Sequence, residues 1–162
     1  MSARAASRLE SLGFTVYRYQ AGKADWFAAG LPREGKEASI PRVADFAERD
    51  VTTCRLDERV GDLRGRTRAG GLDICVVVDA ERVVLGLVEA EGLRVDPASS
   101  VEEIMQPDPL TFRPNLRTGQ IPEYVKRQPA RRVLVTTSDG VLIGLLRPYA
   151  ADSVVSSPGP AD

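Results

Sequence analysis

One pattern occurs twice in this chain, 58 positions apart, and the copies align without a gap. The first reads DVTTCRLDERVGDL from Asp50 and then ICVVVDAERVVLGLVEAEG. The second reads DPLTFRPNLRTGQI from Asp108 and then RVLVTTSDGVLIGLLRPYA. Ten of the 51 positions in 43–93 are identical to their partners in 101–151. Scattered, ten identities would signify little. Here Asp50/Asp108, Thr53/Thr111, Arg55/Arg113, Val83/Val141, Gly86/Gly144 and Leu87/Leu145 share the offset. The apolar runs also coincide, as a duplicated structural unit requires.

Each unit repeats one order of elements. A short helix (43–47; 101–105) leads to an extended segment (52–55; 110–113) and a longer helix (58–69; 116–127). Two strands follow, at 74–78 and 83–88 in the first unit and at 133–137 and 141–146 in the second. Asp139-Gly140 is a hairpin turn signal. A short helix closes each unit, near 90–93 and 148–152; Pro148 suits a first helical position. The strands are near-continuous Val, Leu and Ile, so two sheets buried on both faces are expected, packed on each other and on their helices. The fold class is α+β, two copies of one unit. Residues 5–12 and 23–29 read as helices and 14–19 as a strand, which adds a short N-terminal α-β-α segment. Domain boundaries fall at 1–32, a linker at 33–42, units at 43–95 and 96–152, and a disordered tail at 153–162.

Composition removes whole classes of chemistry. The 162 residues hold no histidine, which discards most catalytic triads and zinc sites. The 22 Lys and Arg balance 23 Asp and Glu, which gives no general case for nucleic acid or anionic membrane. No apolar run reaches the ~20 residues that span a bilayer. The N-terminus lacks the apolar stretch of a signal peptide. Cys54 and Cys75 form no disulfide framework, so a reducing, cytoplasmic setting is expected; both read as small buried hydrophobes.

The second unit resembles a CBS domain, the module named after cystathionine β-synthase. The resemblance rests on V-x-x-I-M-x-P-D-P at 101–109, RVLV at 132–135 and SDGVLIGLL at 138–146. The fixed offset extends it to the first unit, so residues 43–152 have the size of a tandem CBS pair. The resemblance implies β-α-β-β-α units packed with pseudo-twofold symmetry. Such pairs leave two clefts between their units, which commonly take AMP, ATP or S-adenosylmethionine and regulate an attached or partner protein. The resemblance therefore implies a non-catalytic regulatory module and a homodimer. It implies ligand contacts at Thr53, Ile74, Cys75, Glu89, Thr111, Arg132, Val133 and Arg147. For Thr53 and Thr111, strand packing is an equal alternative.

The chain departs from the family's ligand motif, G-h-h-S/T-x-x-D, where h is apolar. In the first unit Glu89 replaces the hydroxyl and Gly92 the aspartate. In the second, Arg147 and Ala150 hold those places. A hydrogen bond to a charged group contributes about 1.5–3 kcal/mol, so ordinary adenosine recognition is weakened in both copies. Arg147, near Arg131 and Arg132, makes its cleft the more anion-friendly one. A structural, dimerising module without ligand is the alternative. The basic run Arg64, Arg66, Arg68 reads as a solvated helix face. Gly86 and Gly144 read as positions of close backbone approach.

Residues 4–32 are similar to the end of a rhodanese domain, on GKADW at 22–26 and the following AAGLP. That family's catalytic cysteine lies just before the corresponding helix, where this chain has Met1, Ser2 and Ala3. Sulfurtransferase activity is not expected unless the true start lies upstream, as in a rhodanese–CBS fusion. Roughly thirty residues cannot bury a core of their own. Phe14, Trp26 and Phe27 are therefore expected to dock on the paired units or on a partner.

Overall fold

The computed structural model describes residues 3–17, 19, 22–69, 74–121, 125 and 132–146. Helix α1 (Ala3–Ser11) ends at Gly13, whose φ of +85° supplies the left-handed C-cap. Helix α2 (Gly22–Ala28) follows. No strand forms over residues 14–17 or at 19, contrary to the alternation there. A single extended segment without a neighbouring edge has no ladder to join. Phe14 does not dock either: it is 61% exposed and Tyr17 is 89% exposed. Trp26 and Phe27 are half-buried. Ala28 packs on the second unit's core, and Arg49 Nη2 donates to the Ala28 carbonyl at 2.8 Å.

The repeat then builds β1 (Ala47–Glu48), β2 (Thr53–Cys54), α3 (Val60–Ala69), β3 (Cys75–Val78) and β4 (Val84–Val88). Its second copy builds α4 (Val101–Ile104), β5 (Gln106–Pro107), β6 (Thr111–Phe112), β7 (Val133–Thr136) and β8 (Leu142–Leu146). The helix expected over 43–47 is a 3₁₀ turn, Val43–Phe46, which hands over at once to strand β1. The helix expected from 58 starts at Val60, because the Glu58 carboxylate accepts from the Arg55 amide at 2.7 Å ahead of it. The closing helix near 90–93 is a 3₁₀ turn, Gly92–Arg94. Of the helix expected over 116–127, Thr118–Gln120 is a 3₁₀ turn. Residues 122–124, 126–127 and 148–152 lie outside the described residues.

The strands form two four-stranded sheets, β2-β3-β4-β5 and β1-β8-β7-β6. β2 runs parallel to β3, and β6 parallel to β7. The outer antiparallel strands are exchanged: β5 pairs with β4, and β1 pairs with β8. Registers repeat with the sequence offset. Leu87 faces Gln106, and Leu145 faces Glu48. Both hairpins carry a bulge at matching places, between Val77 and Val78 and between Val135 and Thr136.

The pseudo-twofold axis passes where Val83 bridges Val141. There the Val84 amide donates to the Gly140 carbonyl at 3.0 Å, and the Leu142 amide to the Arg82 carbonyl at 2.9 Å. A second reciprocal pair joins the units: Val43 N to Leu116 O at 2.9 Å and Val101 N to Glu58 O at 3.0 Å.

Strand alternation divides the apolar side chains among three clusters. Val76, Val78 and Leu87 of one sheet meet Leu134, Leu142 and Leu145 of the other between the sheets. Cys75, Val77 and Val88 face α3 and α4 through Leu63 and Val101. Val133, Val135 and Ile143 face Val43, Ile121 and Val125. Each fully buried aliphatic side chain contributes about 1.5–3 kcal/mol, so the layer between the sheets is what makes the two copies one body.

Candidate functional site: the cleft between the units

After β5 the chain crosses from one sheet to the other through residues 108–110 and enters β6. Asp108 makes the crossing with φ +51°, a left-handed conformation that aspartate tolerates better than most residues. The crossing, the edge of β6 and the β7–β8 turn enclose a cleft of about 370 Å³. Val84 and Leu85 of the first unit floor one side; Thr111, Arg113, Ser138 and Asp139 of the second line the other.

Arg113 is held in place. Its Nη1 donates to the Thr137 carbonyl and to Thr136 Oγ1 at 3.3 Å. Its repeat partner Arg55 reaches the Val78 carbonyl at 3.5 Å. Among the described residues that line it, Asp108 and Asp139 bring two carboxylates beside the guanidinium of Arg113. These described lining groups favour hydroxyls and cationic groups over phosphates.

The positions singled out from sequence divide three ways. Thr111 is exposed and lines the cleft. Thr53 and Glu89 are half-buried in the first unit, where Gln106 Nε2 lies 3.5 Å from Glu89 Oε2, across the exchanged pairing. Arg132 is half-buried at the start of β7. Ile74, Cys75 and Val133 are at most 2% exposed and belong to three different core clusters, so their side chains are committed to packing. Arg147 lies outside the described residues. Sequence reasoning gave no role to Arg113 or to the Ser138 hydroxyl. The identity of Arg55 and Arg113 across the repeat was the available signal.

In the first unit, Gly92 stands where the family motif has aspartate. A Cβ there would sit 3.2 Å from Val88 Cγ1 and 3.4 Å from Ile104 Cδ1. A side chain at this place would require those neighbours to shift by a few tenths of an ångström. Cys54 and Cys75 are both buried. A hydrogen bond that the Cys75 thiol donates to the Cys54 sulfur, followed by burial, raises the Cys75 thiol well above its ordinary pKa. Neither sulfur is placed to act as a nucleophile.

Two exchanged α+β units around an axis through the strand turns define the fold of a CBS domain pair. Solved structures agree on that fold. CBSX2 from Arabidopsis thaliana, a CBS-pair protein, is 20% identical, with a TM-score of 0.60 over 70% of this chain and 93% of that one. A putative acetoin utilization protein (AcuB) from Vibrio cholerae is 18% identical, with a TM-score of 0.60 over 74% and 99%. The cytosolic domain of the Mg2+ channel MgtE, solved in complex with ATP, is 20% identical, with a TM-score of 0.61 over 70% of this chain. The present chain spans about half of that domain, 48% of its length. No family model matches the chain, and no curated sequence does. Among the described residues, no helix is long and apolar enough to cross a membrane.

Proposed function

We propose that the chain is a non-catalytic regulatory CBS pair that takes an adenosine-type molecule in the cleft beside Thr111 and works as a homodimer. The supporting observation is the cleft itself: it lies between the units, carries a positioned guanidinium and the hydroxyls of Thr111, Thr136 and Ser138, and opens beside a family-implied contact residue. A ligand spanning it would bias how the units sit against each other, which is a physical basis for regulation. The MgtE domain in complex with ATP supports a nucleotide as one candidate.

The charge of the cleft orders the candidates. Asp108 and Asp139 suit ribose hydroxyls and the sulfonium of S-adenosylmethionine, and they repel a polyphosphate. Isothermal titration calorimetry is expected to rank affinity as S-adenosylmethionine, then AMP, then ATP. Heat from none of the three at millimolar concentration would leave the second reading, a structural and dimerising module. The packing around Gly92 favours that second reading for the first unit's cleft. Sulfur transfer from thiosulfate to cyanide tests the rhodanese–CBS fusion reading; with both cysteines of this chain buried, no turnover is expected.

A further inference from the structure

Among the described residues, a second concavity lies away from the cleft between the units. It is a groove of about 540 Å³ between α2, the 33–42 linker and the second unit. Lys23, Arg33, Arg42 and Arg117 line it, against the carboxylates of Glu34 and Glu37. The guanidinium carbons of Arg33 and Arg42 lie 5.4 and 5.2 Å from the Phe27 ring centroid, within cation–π range.

Arg42 is already ordered for binding. Its side chain is 12% exposed, and its Nη1 donates to the Asn115 carbonyl at 3.1 Å. Its Nε and the Nη1 of Arg33 are buried with no hydrogen-bond partner among the described residues. Buried guanidinium donors left unmatched carry a desolvation cost that an oxyanion would relieve. Arg33 is already paired, its Nη2 donating to both carboxylate oxygens of Asp45 at 3.2 Å; facing Arg42 in the groove is the 62%-exposed carboxylate of Glu37. It accepts from Arg117 Nη2 at 2.7 Å and lies 3.7 Å from Arg42 Nη2. Exposed ion pairs of this kind contribute only ~0–1 kcal/mol, so Glu37 is displaceable.

Symmetry isolates the feature. In the first unit the repeat counterparts of Arg42 and Asn115 are Ser100 and Asp57. The counterpart of Arg117, Arg59, donates instead to the Ala98 carbonyl. The cluster therefore belongs to the N-terminal segment docked on the second unit and not to the repeated fold.

We infer that this groove is a second, separate binding site, for a small phosphate- or carboxylate-bearing molecule, in which Arg42 and Arg117 hold the oxyanion and Glu37 competes with it. It does not depend on the adenosine reading of the cleft, and its reporter is independent. The chain's single tryptophan, Trp26, lines this groove.

The test is Trp26 emission during titration with inorganic phosphate and, separately, citrate, with chloride holding ionic strength constant. The two arms distinguish a phosphate from a carboxylate ligand. A saturable change is expected with at least one anion. Arg117→Gln should weaken it about 10-fold or more, and Glu37→Gln should tighten it about 2–5-fold. If Arg117→Gln lowers the folded fraction, Lys23→Gln at the exposed rim tests the same field and should also weaken binding. No saturable change with either anion overturns the inference. So does a change that the arginine and lysine variants leave intact, or a Glu37→Gln protein that binds more weakly.

Discussion

Arg82 is one of two described residues other than glycine with a left-handed backbone, at φ +64°. Its repeat partner is Gly140, at φ +84°. The two carbonyls play the same part across the axis, so both turns need this conformation, and only one copy has the residue that adopts it freely. The left-handed penalty for a side chain is roughly 1–2 kcal/mol. Arg82→Gly is therefore expected to raise the chemical-denaturation free energy by about 1 kcal/mol, seen as a higher midpoint at unchanged slope. A lower midpoint would mean that the Arg82 side chain holds something the backbone argument omits. Cys75 gives a second outcome at this scale. Its thiol stays protonated in the fold, while the unfolded thiol ionises above about pH 8.5. The unfolded state then binds fewer protons than the folded one, so the thiol's contribution is complete below that pH and is lost as pH rises beyond it. The slope approaches about 1.4 kcal/mol per pH unit. Denaturation at pH 8 and pH 10 should show this loss, and Cys75→Val, which copies Val133 of the second unit, should remove it.

At the scale of elements, the exchanged strands depend on two glycines. A Cβ on Gly144 would lie 2.3 Å from the Glu48 carbonyl oxygen, and one on Gly86 would lie 2.7 Å from Met105 Sδ. Backbone obstructs both, the Gln106 carbonyl oxygen lying 2.9 Å from a Cβ on Gly86, but the approach at Gly144 is the closer. Gly144→Ala is expected to cost at least about 1–3 kcal/mol, the ordinary range for overpacking, and Gly86→Ala less; thermal melts of the two variants measure the difference. Both glycines are legible in the sequence as sites of close approach, but the approaching strand is not. Two-residue strands such as β1 and β5 carry no periodicity, and in both cases the partner strand lies in the other copy. The long Val/Leu/Ile runs were legible to within a residue, because continuous burial leaves them no other element to form. The aromatic alternation at 14–19 misled for the opposite reason. The pattern was present, and no sheet edge was there to receive it.

The whole molecule is a pair of half-modules, each completed by a strand from the other. That exchange carries the chain from Pro107 across to Leu110 and so creates the cleft beside Thr111. Thr111 itself was visible as a candidate. Its neighbours Ser138 and Asp139 read as part of the family-like hairpin stretch, with no site role, because nothing local in the sequence records that the turn of one hairpin closes over the edge of β6. The N-terminal segment breaks the symmetry at this scale, and with it comes the arginine groove that the repeat alone would not contain.

Exchanged pairing is the claim on which the cleft, its charge and its regulatory reading all rest. Backbone nuclear Overhauser effects in a perdeuterated, amide-labelled sample report it directly. Cross-strand contacts are expected between the segments around Glu48 and Leu145 and, equally, between those around Leu87 and Gln106. Contacts of residues 47–48 with β4, or of residues 106–107 with β8, in place of these would mean that each unit closes on itself and would contradict the account.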